Sequence, residues 1–165
     1  MVEGVCSKEE TNVYPKRLAQ IVELFTPLSE EERCELLVAF ADTASRYEPK
    51  EGERFDLEDV RKDEECTDTV GVFLRLDPEK KLSVRMRLGP AVQTLTKAMT
   101  SILCEGLEGA TLEEILELSS DFVPKIVGGQ LVRIRSQTVY YVLGRIRAAC
   151  QVLARRRQAL AATPS

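Results

Sequence analysis

Residues 70–88 read VGVFLRLDPEKKLSVRMRL, and this stretch decides the fold class. Its second half, residues 82–88, places an apolar side chain at every second position and Ser or Arg between them. A two-residue period is typical of a strand with one buried face. Asp77-Pro78 supplies a turn between this strand and the apolar run 70–76. The stretch therefore predicts an antiparallel hairpin of strands 70–76 and 82–88.

Upstream of the hairpin, apolar residues at helical spacing predict two helices. The first covers residues 15–25. The second follows the capping box Ser29-Glu30-Glu31-Glu32 and runs to about Tyr47. Residues 48–65 are charged and interrupted by Pro and Gly, which indicates a loop with one turn at most.

Downstream of the hairpin, the pattern predicts a helix to about Glu105 and a short helix opened by a second capping box, Thr111 to Glu114. Residues 131–134 are interpreted as a third, short strand. A long final helix begins at Ser136. Helices that lie outside a small antiparallel sheet predict an α+β fold.

A chain of 165 residues fits one domain. We expect the domain to cover 14–160, with a mobile tail at 1–13 and a short tail at 161–165. No apolar run approaches the ~20 residues that a membrane helix needs, and the first residues lack a secretory signal pattern. The sequence predicts a soluble intracellular protein without a membrane partner. Its compartment is cytoplasmic, or organellar (plastid or mitochondrial) if a presequence has been removed.

The residue types present restrict the chemistry. The chain has no histidine, which excludes Ser-His-Asp and Cys-His nucleophile pairs and most zinc sites. Its five cysteines, an odd number, contain no Cys-x-x-Cys pair, so neither a metal site nor a disulfide framework is expected. Any chemistry must therefore use thiols, carboxylates, lysine or arginine.

Charge is unevenly distributed. After Asp121 the chain has no acidic residue, whereas Lys125 and seven arginines follow. We favour a solvated face or intramolecular pairing with the acidic part of the domain; an acidic protein partner is the second interpretation and nucleic acid the third. No nucleic-acid partner is expected, and steeply salt-dependent binding would reveal one.

The cysteines differ in their sequence context. Cys34 and Cys150 fall on apolar helical faces, which is typical of small buried side chains. Cys6 lies in the tail, and Cys104 shares a helix side with polar residues that predict partial exposure. Cys66 alone lies in an acidic loop immediately before the first strand of the hairpin. A thiol in such a position suits transfer of a sulfur atom; the alternative, from the local features alone, is a loop cysteine without a chemical role.

Several motifs occur in a characteristic order: Cys66-Thr67-Asp68-Thr69-Val70, Gly89 with Lys97, Thr111-Leu112-Glu113-Glu114-Ile115-Leu116, and Arg135-Ser136-Gln137. With these motifs, the chain resembles the SufE family of sulfur acceptors from about Leu18 to Leu153. The resemblance implies a SufE-like fold. It also implies a persulfide carrier, in which Cys66 takes sulfur from a pyridoxal-phosphate-dependent cysteine desulfurase, activates that enzyme, and passes the sulfur to an iron–sulfur cluster assembly scaffold.

The resemblance also assigns roles to individual residues. Cys66 is the expected persulfide acceptor, with Arg135 in support and close to the Cys66 loop. The charge of the loop, rather than the resemblance, leads us to expect that the neighbours Glu64, Glu65, Thr67 and Asp68 contact the partner, whose basic site would neutralise the acidic loop. The chain itself is expected to bind no cofactor and no metal, and to act as an accessory protein rather than an enzyme with its own cofactor.

The sequence departs from the family pattern beside the key residues. Glu65 replaces the usual Gly before the cysteine, Gly71 replaces a bulky aromatic, and Thr138 replaces the Gly after the Arg-Ser-Gln step. Nearby carboxylates disfavour a thiolate, and the loss of Gly limits backbone freedom. A second hypothesis is therefore a non-catalytic SufE-like adaptor that has lost sulfur transfer.

Overall fold

The structure, a computed structural model, describes residues 14–60 and 70–162. The α-helices in these ranges are α1 (Lys16–Phe25), α2 (Glu30–Asp42), α3 (Thr94–Gly106), α4 (Leu112–Leu116), α5 (Phe122–Val127), α6 (Gly129–Ile134) and α7 (Ser136–Ala162). A short 3-10 helix covers Ala44–Tyr47. The strands are β1 (Leu57–Val60), β2 (Val70–Leu76) and β3 (Leu82–Leu88). The α+β prediction and the long final helix are confirmed.

The three strands form one antiparallel sheet in the order β1-β2-β3. The pairs Val70↔Leu88 and Leu76↔Leu82 close the two ends of the β2–β3 hairpin, so its predicted bounds are confirmed. On the core face, Val72, Leu74 and Met86 are fully buried. The opposite face of β2 is also covered, because the centroid of the Phe55 ring lies 5.3 Å from that of the Phe73 ring. The central strand is therefore buried on both faces at its start.

The helix α3 forms the centre of the core. Every side chain from Ala98 to Cys104 is buried, and α3 contacts α1, α2, α7 and β3. The helix α1 can approach closely because α3 ends in Gly106. A Cβ at this position would lie only 3.2 Å from the Cα of Leu18. Any larger residue at position 106 would separate α1 from α3.

Both predicted capping boxes are present. The Ser29 hydroxyl accepts from the Glu32 amide at 3.1 Å, and the Ser29 amide donates to the Glu32 carboxylate at 2.9 Å. Thr111 and Glu114 make the same reciprocal pair. Each box satisfies amide groups that the first turn of a helix leaves without an intrahelical partner.

The predicted third strand over 131–134 is wrong. Gly128 adopts φ +89° and allows the chain to begin α6 immediately after α5, so residues 131–134 are helical. The amide of Val132 donates to the Gly128 carbonyl at 3.2 Å, which closes the first turn. The third strand is β1, which lies within the stretch predicted to be a loop.

Candidate functional site

The proposed acceptor, Cys66, lies outside the described residues, as do Glu64, Glu65, Thr67 and Asp68. The structure describes the two strands that precede and follow this stretch. Strand β1 ends at Val60 and β2 begins at Val70. Val60 pairs with Gly71 in the antiparallel ladder. The chain between 60 and 70 therefore leaves and re-enters the sheet at neighbouring positions of adjacent strands.

A guanidinium group joins these two strand ends. Arg145 of α7 donates from Nη1 to the carbonyl oxygen of Val70 at 2.7 Å. It donates from Nη2 to the carbonyl oxygen of Asp59 at 3.0 Å. The same Nη2 lies 3.6 Å from Oδ2 of Asp59. One side chain therefore connects the end of β1 to the first residue of β2 through hydrogen bonds that are separate from those of the sheet.

Arg145 is buried, with a relative exposure of 7%. It is the only charged residue classed as buried within 14–60 and 70–162. The phenol of Tyr141, one helical turn earlier, lies 3.3 Å from its Nη1. Burial of a charge is costly unless hydrogen bonds compensate, so the carbonyl and carboxylate partners hold this side chain in one orientation.

Sequence reasoning did not assign Arg145 to the site, although a signal was present. On α7, Val142, Ile146 and Ala149 are buried, and Arg145 lies on the same face at helical spacing. An arginine within an apolar helical stripe indicates a buried, partnered charge. Nothing in the sequence named the partner, because Val70 and Asp59 accept largely through backbone carbonyls.

The second predicted site residue, Arg135, is exposed at the junction of α6 and α7. Its amide donates to the Leu131 carbonyl at 2.7 Å, and its carbonyl accepts from the Val139 amide at 3.0 Å. The Arg135 side chain lines a groove of about 400 Å³ whose walls are largely apolar. The other lining residues are Cys34, Leu37, Val38, Gln93, Thr94, Leu95, Ala98 and Leu131.

The groove is connected to the start of β2 by a short stretch of chain. Leu88 pairs with Val70, and Gln93 and Thr94, a few residues later, line the groove beside Arg135. The predicted contact between Arg135 and the Cys66 loop involves residues that the structure does not describe. That contact therefore stays a prediction.

The three described cysteines fall into two classes. Cys104 and Cys150 are fully buried. Burial raises the pKa of the Cys150 thiol to about 12 and raises the pKa of Cys104 further. The interpretation of Cys150 as a small core residue is confirmed, whereas the predicted partial exposure of Cys104 is wrong.

Cys34 differs from the expectation. It is exposed, because only Leu37 and Ala41 of α2 are buried and Cys34 lies one turn before Leu37, where the helix is open to solvent. Its side chain lines the Arg135 groove and also a smaller adjoining groove beside Val127, Gly128 and Ile134. Cys34 is therefore a second accessible thiol rather than a core residue.

The arginines that follow Asp121 include residues paired within the domain and residues exposed to solvent. Arg145 pairs within the domain, and Arg147 donates to the carbonyl of Leu118. Arg155, Arg156 and Arg157 are exposed. Both the intramolecular and the solvated interpretation therefore apply, to different residues.

Among residues 14–60 and 70–162, no cluster of His, Cys, Asp or Glu is large enough to hold a metal ion. In the same ranges, no helix is long and apolar enough to span a membrane.

Comparison with known proteins identifies the family. The family model for SufE, described as an Fe-S metabolism associated domain, matches residues 19–150. A solution structure of a hypothetical protein from Thermus thermophilus is similar in fold, with a TM-score of 0.62 and 24% identity. The similarity covers 86% of this chain and 98% of that one. Among curated proteins, none matches this chain. Because the family model covers most of the chain, this protein belongs to the SufE family and has a role in iron–sulfur metabolism.

Proposed function

We propose that this protein accepts sulfur from a pyridoxal-phosphate-dependent cysteine desulfurase as a persulfide on Cys66. It activates the desulfurase by removing that sulfur, and it passes the sulfur to a scaffold for cluster assembly. The observation that carries the proposal is the match to the SufE family over residues 19–150, a range that includes Cys66. The expected setting is a reducing intracellular compartment, in which thiols stay free.

The state of the three described cysteines, which do not include Cys66, supports the choice of Cys66. Cys104 and Cys150 are buried, and burial raises the pKa of both thiols. The thiolate is the attacking species in thiol exchange, so neither is suited to react with a protein donor. Among the cysteines that the structure describes, Cys34 is the exposed one, and a test must separate it from Cys66.

The transfer is an exchange at sulfur. The Cys66 thiolate attacks the terminal sulfur of the desulfurase persulfide, and a new S–S bond forms at Cys66. The S–S bond within the desulfurase persulfide breaks, and its cysteine leaves as a thiolate that takes up the proton lost by Cys66. The sulfur changes carrier without net oxidation or reduction, so the chain needs no cofactor of its own.

The partner surface follows from charge. We assign Glu64, Glu65, Thr67 and Asp68 to contact with a basic site on the desulfurase, because three of them are carboxylates beside the reacting thiol. Arg135 is assigned a supporting role from its match to the family's arginine before the last helix. Its exposed guanidinium beside an apolar groove is suited to a carboxylate of the loop or of the partner.

The alternative is a SufE-like adaptor that binds the desulfurase without accepting sulfur. Glu65 favours it, because a carboxylate stands where the family usually has glycine next to the cysteine. The two functions differ in the fate of Cys66→Ser. A carrier loses its stimulation of cysteine turnover by the desulfurase on this replacement, whereas an adaptor keeps it.

The test compares wild type, Cys66→Ser and the matched control Cys34→Ser. Alanine released by a purified cysteine desulfurase is measured with each of the three proteins. We expect wild type and Cys34→Ser to stimulate equally and Cys66→Ser not to stimulate. Equal stimulation by all three would favour the adaptor.

A further inference from the structure

The link from Arg145 to the strand ends suggests a function for this residue beyond stability. Resting on the proposed function, we propose that Arg145 is a positioning residue for sulfur transfer, which fixes the end of β1 and the start of β2 from which the Cys66 segment departs. It acts through the carbonyl groups of Asp59 and Val70.

The geometry suits a guanidinium. Its two terminal nitrogens reach carbonyls on adjacent strands at 2.7 and 3.0 Å. A planar fork can donate to both carbonyls at once, whereas an ammonium group is a single point from which both are harder to satisfy. The bond therefore fixes the separation of the two strand ends as well as their attachment to α7.

The two hydrogen bonds of Arg145 matter for Cys66 because of where they lie along the chain. Val70 is the first residue of β2, only four residues after Cys66, and Asp59 precedes the end of β1 by one residue. Because α7 packs against both strands, the guanidinium couples these ends to the last helix of the domain. Placement of a nucleophile toward a protein-bound persulfide depends on such anchoring, and small misplacement is costly in rate.

A purely stabilising role for Arg145 would give a different experimental result. A residue that only stabilises the fold can be replaced with a loss of stability and no change in transfer by the folded molecules. The bond between Arg147 and the Leu118 carbonyl offers the matched control. Arg147 also lies on α7 and donates to a carbonyl, but that carbonyl is remote in sequence from both strand ends.

The experiment uses the full chain and a purified cysteine desulfurase preloaded with persulfide. Single-turnover transfer to Cys66 is followed by peptide mass spectrometry for wild type, Arg145→Met, Arg145→Lys and Arg147→Met. Circular dichroism measures the folded fraction of each protein. Alkylation of Cys66 by iodoacetamide reports access to the thiol for a small reagent that needs no alignment.

For Arg145→Met we expect the rate at saturating desulfurase to fall about tenfold or more, with no fall in the iodoacetamide rate. Arg145→Lys keeps the charge and should also transfer slowly; it carries the test if Arg145→Met does not fold. Arg147→Met should transfer at the wild-type rate.

Two results contradict the proposal, and they differ. If wild type takes sulfur and both Arg145 variants transfer within about twofold of it per folded molecule, the positioning role is overturned while the carrier function stands. An equal loss in Arg147→Met also overturns it. If wild type itself takes no sulfur on Cys66, the proposed function fails, and the positioning role fails with it.

Discussion

Arg145 and Val70 lie 75 positions apart in the sequence and are joined by a 2.7 Å hydrogen bond from the guanidinium of α7 to the first carbonyl of β2. The same guanidinium reaches the Asp59 carbonyl, so the bond ties the last helix to two strands. Hydrogen bonds to charged groups contribute more than neutral ones. This contact therefore connects the sheet to α7 in addition to the packing of α7 against β1 and β2.

The first prediction concerns stability. Arg145→Met should lower the free energy of unfolding by about 2–4 kcal/mol, because it removes the donor that two carbonyl groups and the Asp59 carboxylate share. Arg75→Met is the matched control. Its ion pair with Glu53 at 3.0 Å is 39% exposed on the arginine side, so its loss should cost less than ~1 kcal/mol. Urea denaturation followed by circular dichroism measures both, and equal losses would contradict the assignment.

The second prediction concerns the described thiols. At pH 8, iodoacetamide should label Cys34 in the native protein and leave Cys104 and Cys150 unlabelled. Cys34 is exposed, whereas burial both blocks access and raises the pKa of the other two thiols, to about 12 for Cys150. Peptide mapping measures the labelling, and unfolding in urea should expose all three. Native labelling of Cys104 at the rate of Cys34 would be inconsistent with the packing of α3.

The sequence predicts those elements of the fold that have a local pattern, and it misses those that depend on contacts between distant parts of the chain. The hairpin was predicted with its observed bounds because residues 82–88 alternate along the strand itself. The strand β1 was missed because Leu57-Glu58-Asp59-Val60 buries only Leu57. It is a strand because it pairs with β2. Such tertiary pairing is not written in the local pattern.

The same distinction applies to the site. Cys66 and Arg135 are predicted from the family resemblance and stay predictions, whereas the burial of Arg145 depends on helix α7 meeting two strand ends. The exposure of Cys34 was missed because its helical spacing with Leu37 and Ala41 indicated a buried face. The helix α2 is partly covered by α3 and α5, and its remaining surface stays open to solvent.

The third prediction concerns Arg135. Arg135→Gln should weaken productive binding of the desulfurase, because it removes the only charged side chain that lines the apolar groove in the described part of the chain. The desulfurase concentration that gives half-maximal transfer should therefore rise several-fold. Arg133→Gln is the matched control, with the same charge change at an exposed position that does not line the groove. Transfer rates measured over a range of desulfurase concentrations compare the two. Equal effects would indicate general electrostatic attraction rather than a specific contact.

The fourth prediction concerns the acidic neighbours of Cys66. We expect Glu64 and Glu65, which precede Cys66 in the sequence, to disfavour its thiolate by like-charge repulsion, so Cys66 in the free protein should react slowly with iodoacetamide at neutral pH. Replacing both by Gln should accelerate alkylation of Cys66 in the free protein and slow sulfur transfer from a desulfurase with a basic site. Peptide-level alkylation kinetics provide the first measurement. A Cys66 that reacts as fast as a model peptide thiol, with no change in the double variant, would argue against this control of reactivity.

The central claim is that sulfur resides on Cys66, and the most direct measurement is the location of the added sulfur atom. The protein is incubated with a purified cysteine desulfurase and cysteine, alkylated, digested, and analysed by mass spectrometry peptide by peptide. The account predicts one added sulfur on the Cys66 peptide of wild type and of Cys34→Ser, and none on Cys66→Ser. Sulfur found chiefly on Cys34 or Cys104, or equal loading of the Cys66→Ser protein, would contradict it.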